Sequence, residues 1–183
     1  MPQMSYDEIV TGLDHMSRYL GEQGGYRVRE MFDSPDAPLK VVSYTGPRAF
    51  VLLRVSPPSP SNPRTSVEIA GGGAMDARPE PALFHHLVTR HMDFDWGGPF
   101  AREWPGGRVT YGSRTVVVSE LMTSDNLGAV FGHIGGMINM VGLNARMIAT
   151  EILARSGGVL LDGASPEHDV ELFRALTGQR RPN

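Results

Sequence analysis

The chain contains no cysteine, and Lys40 is the only lysine among 17 basic side chains in 183 residues. Without a thiol there is no disulfide framework, no cysteine nucleophile and no cysteine-based zinc knuckle. Lys40 does not stand in the G-x-x-x-x-G-K-[ST] spacing of a phosphate loop, so lysine chemistry has at most one candidate and no motif around it. The formal charge is -3, which gives no whole-chain reason to expect a nucleic acid partner. The only basic doublet is Arg180-Arg181, near the end of the chain.

Hydrophobic residues make up 40% of the sequence, enough for the core of one compact domain, and disorder is not expected. The first ten residues, MPQMSYDEIV, carry two acids and no basic stretch of the kind that opens a secretory signal. The most apolar long segment, Gly128 to Ala149, is interrupted by His133, Asn139, Asn144 and Arg146, so no membrane span is predicted. A soluble, cytoplasmic protein is expected.

Ser5-x-x-Glu8 has the spacing of a capping box, and Ile9, Val10, Leu13, Met16 and Leu20 follow at helical period. A first helix is predicted from about Tyr6 to about Leu20, stopped by Gly21, Gly24 and Gly25. Four extended segments come next: Tyr26 to Phe32, Leu39 to Tyr44, Ala49 to Val55 and Thr65 to Ala70. Their first two connections are short, which predicts antiparallel neighbours, while Ser56 to Arg64 holds four prolines and reads as a stiff solvated excursion. Gly71-Gly72-Gly73 reads as a flexible turn. A second helix is predicted from Pro81 to about His91. After it comes a loop holding Trp96, Phe100 and Trp104, then two strands, Arg108 to Tyr111 and Arg114 to Leu121, hinged at Gly112-Ser113. A long helix is expected from a cap at Ser124 or Asp125 to about Arg155, and a short one from Ser165-Pro166 to Gly178. The expected fold is α+β, an antiparallel sheet carrying an N-terminal, a middle and a long C-terminal helix. Residues 1–160 form one domain in this reading, and 161–183 a short helix and tail.

The long helix carries the most information. At 100° per residue, Leu127, Val130, Phe131, Ile134, Ile138, Val141, Ala145, Ile148 and Ile152 form one stripe that should lie on the sheet. The opposite side is not polar, as a simple surface helix requires, but holds Gly132, Gly136, Met140, Leu143, Met147 and Ala154. Five glycines at 128, 132, 135, 136 and 142 each cost roughly 1 kcal/mol against alanine in a helix interior. One reading is a partner, or a second subunit, packed against this face, with methionine supplying a deformable apolar surface. The other is a helix broken at Gly135-Gly136 whose methionine face is core beneath the last helix.

Candidates for chemistry are weak on spacing. His85, His86 and His91, with Asp93 and Asp95, form the one cluster with metal-ligand character, but His85 and His86 diverge by 100° on a helix and no H-E-x-x-H spacing occurs. A small metal- or ligand-dependent enzyme using His85, His86, Asp93 and Asp95 stands as the alternative function. Gly71-Gly72-Gly73 fails as G-x-G-x-x-G because Asp76 stands where the last glycine should be, and there is no G-x-S-x-G. Asp93 and Asp95 share a face in extended chain and are an acid/base pair in principle, or solvate a loop. Trp96, Phe100 and Trp104 place both tryptophans of the chain in one connection, as recognition anchors or as a plug for the core. A small-ligand sensor with a pocket beneath Trp96 and Trp104 is a third reading.

The order of elements resembles the type III secretion chaperone-like superfamily, in particular its YbjN branch. The residues that carry the likeness are Ile9 to Leu20 with Gly24-Gly25-Tyr26, the meander from Tyr26 to Ala70, the helix Leu83 to His91, the strand Thr115 to Leu121, and Leu127 onward. It covers about residues 5 to 156. The resemblance implies a non-enzymatic α+β domain, usually a homodimer, that holds extended or helical segments of a client protein; no cofactor or metal is expected. The partner-binding residues expected are then Gly132, Gly136, Met140, Leu143, Met147, Trp96, Phe100 and Trp104.

Overall fold

In a computed structural model of the chain, residues 4–31, 40–47, 49–60, 62–89, 96–118 and 122–178 are described. Helix α1 spans Tyr6–Glu22, two residues beyond the predicted end, and opens on the predicted capping box. The Glu8 amide donates to Ser5 Oγ at 3.3 Å, and the Ser5 amide donates to Glu8 Oε2 at 2.7 Å. The buried residues of α1 are Ile9, Leu13, Met16 and Leu20, the period-3.6 set.

Strands β1 (Arg27–Met31), β2 (Lys40–Thr45), β3 (Phe50–Ser56) and β4 (Ser66–Ala77) form an antiparallel meander, followed by α2 (Pro81–Thr89), β5 (Gly98–Trp104) and β6 (Arg108–Val118). A 3-10 turn, Ser124–Asn126, leads into α3 (Leu127–Ser156), then β7 (Val159–Leu160) and α4 (Pro166–Thr177). The sheet order is β1-β2-β3-β4-β6-β5, with β7 paired to the far half of β4, and every described pairing is antiparallel. The fold is therefore α+β, as expected.

Strand alternation divides the core between the two faces of the sheet. Val42, Tyr44, Val51, Leu53, Val55, Val67 and Ile69 pack with α1 and the first half of α3. Val41, Phe50, Leu52, Ala70 and Phe100 face the other way and meet Leu172, Phe173, Ala175 and Leu176 of α4. The segment after residue 160 thus shares a core with the sheet. A third cluster joins α2 and the second half of α3 over Ala74, Ala77, Val109 and Tyr111.

Three local readings are corrected. Gly71-Gly72-Gly73 is not a turn: β4 runs through it, because a Cβ on Gly71 would lie 2.6 Å from the Val141 carbonyl oxygen and 2.7 Å from Ala145 Cβ of α3. Glycine is demanded there by the approach of a helix, not by a change of direction. Gly112-Ser113 is not a hairpin either; β6 is continuous, and a Cβ on Gly112 would lie 2.6 Å from the Phe100 ring. The hairpin is at Pro105-Gly106-Gly107, where both glycines have positive φ and the Gly107 amide donates to the Trp104 carbonyl at 3.0 Å. Consequently the aromatic loop is largely strand β5. The predicted ends at Phe32, Leu39, His91 and Leu121 lie outside the described residues.

Lys40, which stands in no motif, holds Asp14 of α1 at 2.9 Å and Glu30 of β1 at 2.7 Å. Burial opposes its charge, and hydrogen bonds to Glu30 and Asp14 more than offset this, so its pKa lies above the ordinary lysine value. Below the sheet surface, Tyr44 is fully buried with its hydroxyl 2.7 Å from that of Ser17. Burial pushes the Tyr44 phenol up to about 12. Between about pH 10 and that value the unfolded chain has lost a proton that the native chain retains, so stability falls by about 1.4 kcal/mol per pH unit for this group. Denaturant midpoints should therefore drop through this window, and Tyr44→Phe should make the alkaline fall shallower; superimposable pH profiles would contradict the assignment.

Candidate protein-binding face

Helix α3 is 30 residues long, about 45 Å at 1.5 Å per residue, and crosses the sheet over both the first and third core clusters. Its buried residues include Phe131, Ile134, Ile138, Val141, Ala145, Ile148 and Ile152, which are most of the predicted stripe. Leu127, the first residue of that stripe, is instead 47% exposed. The helix is not broken at Gly135-Gly136, and α4 packs on the opposite face of the sheet, so the methionine side is not core beneath the last helix.

The five glycines of α3 divide by surroundings. A Cβ on Gly142 would collide with Ala49, so this glycine lets the helix sink against the β2-β3 corner, and Gly135 lies beside Met16 of α1. Around Gly128, Gly132 and Gly136 there is open space. Leu143 and Met147 continue the same side with 40% and 52% exposure, and Met140, one turn before Leu143, is half-buried. The predicted residues Gly132, Gly136, Met140, Leu143 and Met147 are thus brought together on one outward face. On its flanks stand the exposed residues His133, Asn139 and Arg146. The Tyr26 hydroxyl donates to Asn139 Oδ1, and the Asn139 amide donates to the Gly135 carbonyl at 3.2 Å, which fixes that flank. Burial raises the Tyr26 pKa and keeps the phenol a donor.

The aromatic residues are separated by the sheet. Trp96, with φ 59° and 48% exposure, stands edge-on to His133 with ring centroids 4.3 Å apart, beside the α3 face. Phe100 and Trp104 alternate toward α4 on the other side, where Phe100 is core. Trp104 donates its indole N–H to Thr110 Oγ1 at 2.9 Å, and Thr110 donates to the buried Glu171 Oε1 at 2.6 Å. Phe100 and Trp104 are therefore not part of the outward surface, and a shared pocket beneath both tryptophans is not formed.

Buried charge serves to fasten elements. Arg29 of β1 pairs with Asp169 of α4, Arg102 Nε donates to the Ala175 carbonyl at 3.0 Å, and Arg54 holds Glu68 at 2.6 Å across β3 and β4. His85 and His86 are both exposed on α2, and among the described residues no three His, Asp or Glu side chains converge as metal ligands. Asp93 and Asp95 lie outside the described residues. No described helix is long and apolar enough to cross a membrane.

Sequence reasoning missed a groove between α1 and the start of α3. It has a volume of about 560 Å³ and is lined by Asp7, Glu8, Thr11, Gly12, His15, Met16, Leu127, Gly128 and Phe131. Gly12 lets the Phe131 ring pass against the α1 backbone. Gly12, at the border of the apolar stripe of α1, was the one signal available.

The chain matches no family model and no curated protein.

The two kinds of glycine in α3 predict opposite stability changes. In dilute protein, with nothing packed on this face, Gly132→Ala should stabilise the chain by about 1 kcal/mol in denaturant unfolding through helix propensity. Gly142→Ala should cost about 1–3 kcal/mol through overpacking against Ala49. A destabilising Gly132→Ala would mean that its surroundings are not open.

Proposed function

We propose that the protein is a non-enzymatic, chaperone-like, protein-binding module that acts as a homodimer through the outward face of α3. The observation that carries this reading is the layout of that face. Its N-terminal half is small, with Gly132 and Gly136 facing open space, and its C-terminal half is large, with Leu143 and Met147 exposed. Two copies crossing antiparallel about Met140 would lay the large half of each over the small half of the other. An isologous contact requires that kind of self-complementarity, and the absent side chains allow the helices to approach closely.

An exposed apolar stripe on a helix already rich in glycine lowers stability without an internal return, which favours an external partner. The buried charged groups support a non-enzymatic role, because Asp169, Glu171 and Glu68 are engaged in holding strands and α4 together. The resemblance to the secretion chaperone-like superfamily points the same way, and a cytoplasmic setting belongs to the same proposal.

Met140→Glu combined with Met147→Glu should convert the sedimenting species from dimer to monomer while the thermal midpoint of the dilute protein is nearly unchanged, as is usual for surface substitutions. A wild-type chain that sediments as a monomer at all accessible concentrations would overturn the homodimer.

A further inference from the structure

Next to the open α3 face lies the α1–α3 groove, whose floor is Gly12, Met16, Leu127, Gly128 and Phe131. Its volume of about 560 Å³ falls within the ~300–1,000 Å³ of specific binding pockets. Both walls are helices running side by side, with Gly12 against Phe131 and Gly135 beside Met16, and no free strand edge borders it. A groove between two helices accepts the apolar ridge of a third helix, read as residues at i, i+3, i+4 and i+7.

The rim is acidic. Asp7 and Glu8 line it, and the exposed Asp125 lies two residues before Leu127. Glu8 is held below the usual carboxylate range by hydrogen bonds from the Ser5 backbone and hydroxyl, so it stays anionic into mild acid. The N-termini of α1 and α3 add roughly +0.5 charge each, which against three carboxylates leaves the rim at a net charge of about -2. His15 is the one basic side chain in the lining. A second copy would bring the same acidic rim against itself and be repelled, whereas a cationic segment would be attracted.

We infer that the groove between α1 and the first turns of α3 binds a basic amphipathic helical segment of a client protein, its apolar ridge on Gly12, Leu127, Gly128 and Phe131 and its lysines or arginines toward Asp7, Glu8 and Asp125. This rests on the protein-binding reading above and names the class of client segment.

The probe is a fluorescein-labelled synthetic helix of roughly 18 residues, five turns, with leucine along one stripe and lysine elsewhere, compared with an analogue carrying glutamate for lysine. Fluorescence anisotropy with the full-length chain should show saturable binding of the lysine peptide and none of the glutamate peptide. Salt at about 0.5 M should weaken it, since exposed charges are then screened beyond a few ångströms. Gly128→Leu fills the groove where a Cβ meets nothing within 4 Å. It should weaken the peptide by at least about tenfold, about 1.4 kcal/mol, while the thermal midpoint holds or rises because leucine is the better helix former. Asp7→Lys should weaken it as well.

Equal binding of both peptides, no binding of either, or unaltered affinity in Gly128→Leu would overturn the proposal. So would a Gly128→Leu chain whose sedimentation changes while its peptide affinity does not, which would make the groove a contact between copies. The Met140→Glu, Met147→Glu chain separates the two readings. Retained peptide binding by that chain supports the groove whether or not the dimer exists, and a dimer that ignores the peptide defeats the groove alone.

Discussion

The close seating of α3 on the middle of the sheet is the constraint on which the rest of the molecule depends. A Cβ at Gly71 would strike the Val141 carbonyl and Ala145, and one at Gly142 would strike Ala49, so strand and helix each give up a side chain at the crossing. Once the helix is pressed down there, its inner arc buries Ile134, Ile138, Val141, Ala145, Ile148 and Ile152 against the strands. Packing at interior density then fixes the angle of the whole helix, and with it which residues look outward.

What looks outward follows from how far the other helices reach. α1 covers the flank of the first half of α3 and α2 that of the second, while α4 lies beyond the sheet and contributes nothing to this side. The strip from Gly132 to Met147 is left between them. The same arrangement makes the α1–α3 groove, because Gly12 draws the helices together at Phe131 while Leu127 and Gly128 stay open above it. A self-complementary strip and an acidic-rimmed groove are thus two consequences of one packing event, and their chemistries separate their partners: an apolar copy of itself for the first, a basic helix for the second.

Much of the fold was legible because its signals are local or periodic. Ser5 and Glu8 announce the start of α1, and the 100° stripe of α3 identifies both its buried and its outward residues, including Gly132, Gly136, Leu143 and Met147. Glycine misled wherever its cause was tertiary. At Gly71 and Gly112 the missing Cβ makes room for α3 and for Phe100, which no local rule distinguishes from a turn. Phe100 and Trp104 carry the two-residue period of a strand, with Arg102 between them on the same face, yet the surrounding glycines and prolines suggested a loop. A helical wheel gives the direction of Leu127 but not what lies over it, so its exposure was not legible. The groove depends on how α1 and α3 meet, and no single-element pattern contains that.

The absence of cysteine gives the most direct test of the outward α3 face as a contact surface. A chain carrying Met140→Cys has one thiol and no background, and Val116→Cys places one on the opposite side of the sheet at an exposed position. Under mild oxidation, Met140→Cys should form a covalent dimer rapidly and at low concentration, because residue 140 meets its own copy at the crossing point, with Val116→Cys remaining monomeric. Equal rates of crosslinking for the two variants would contradict the account.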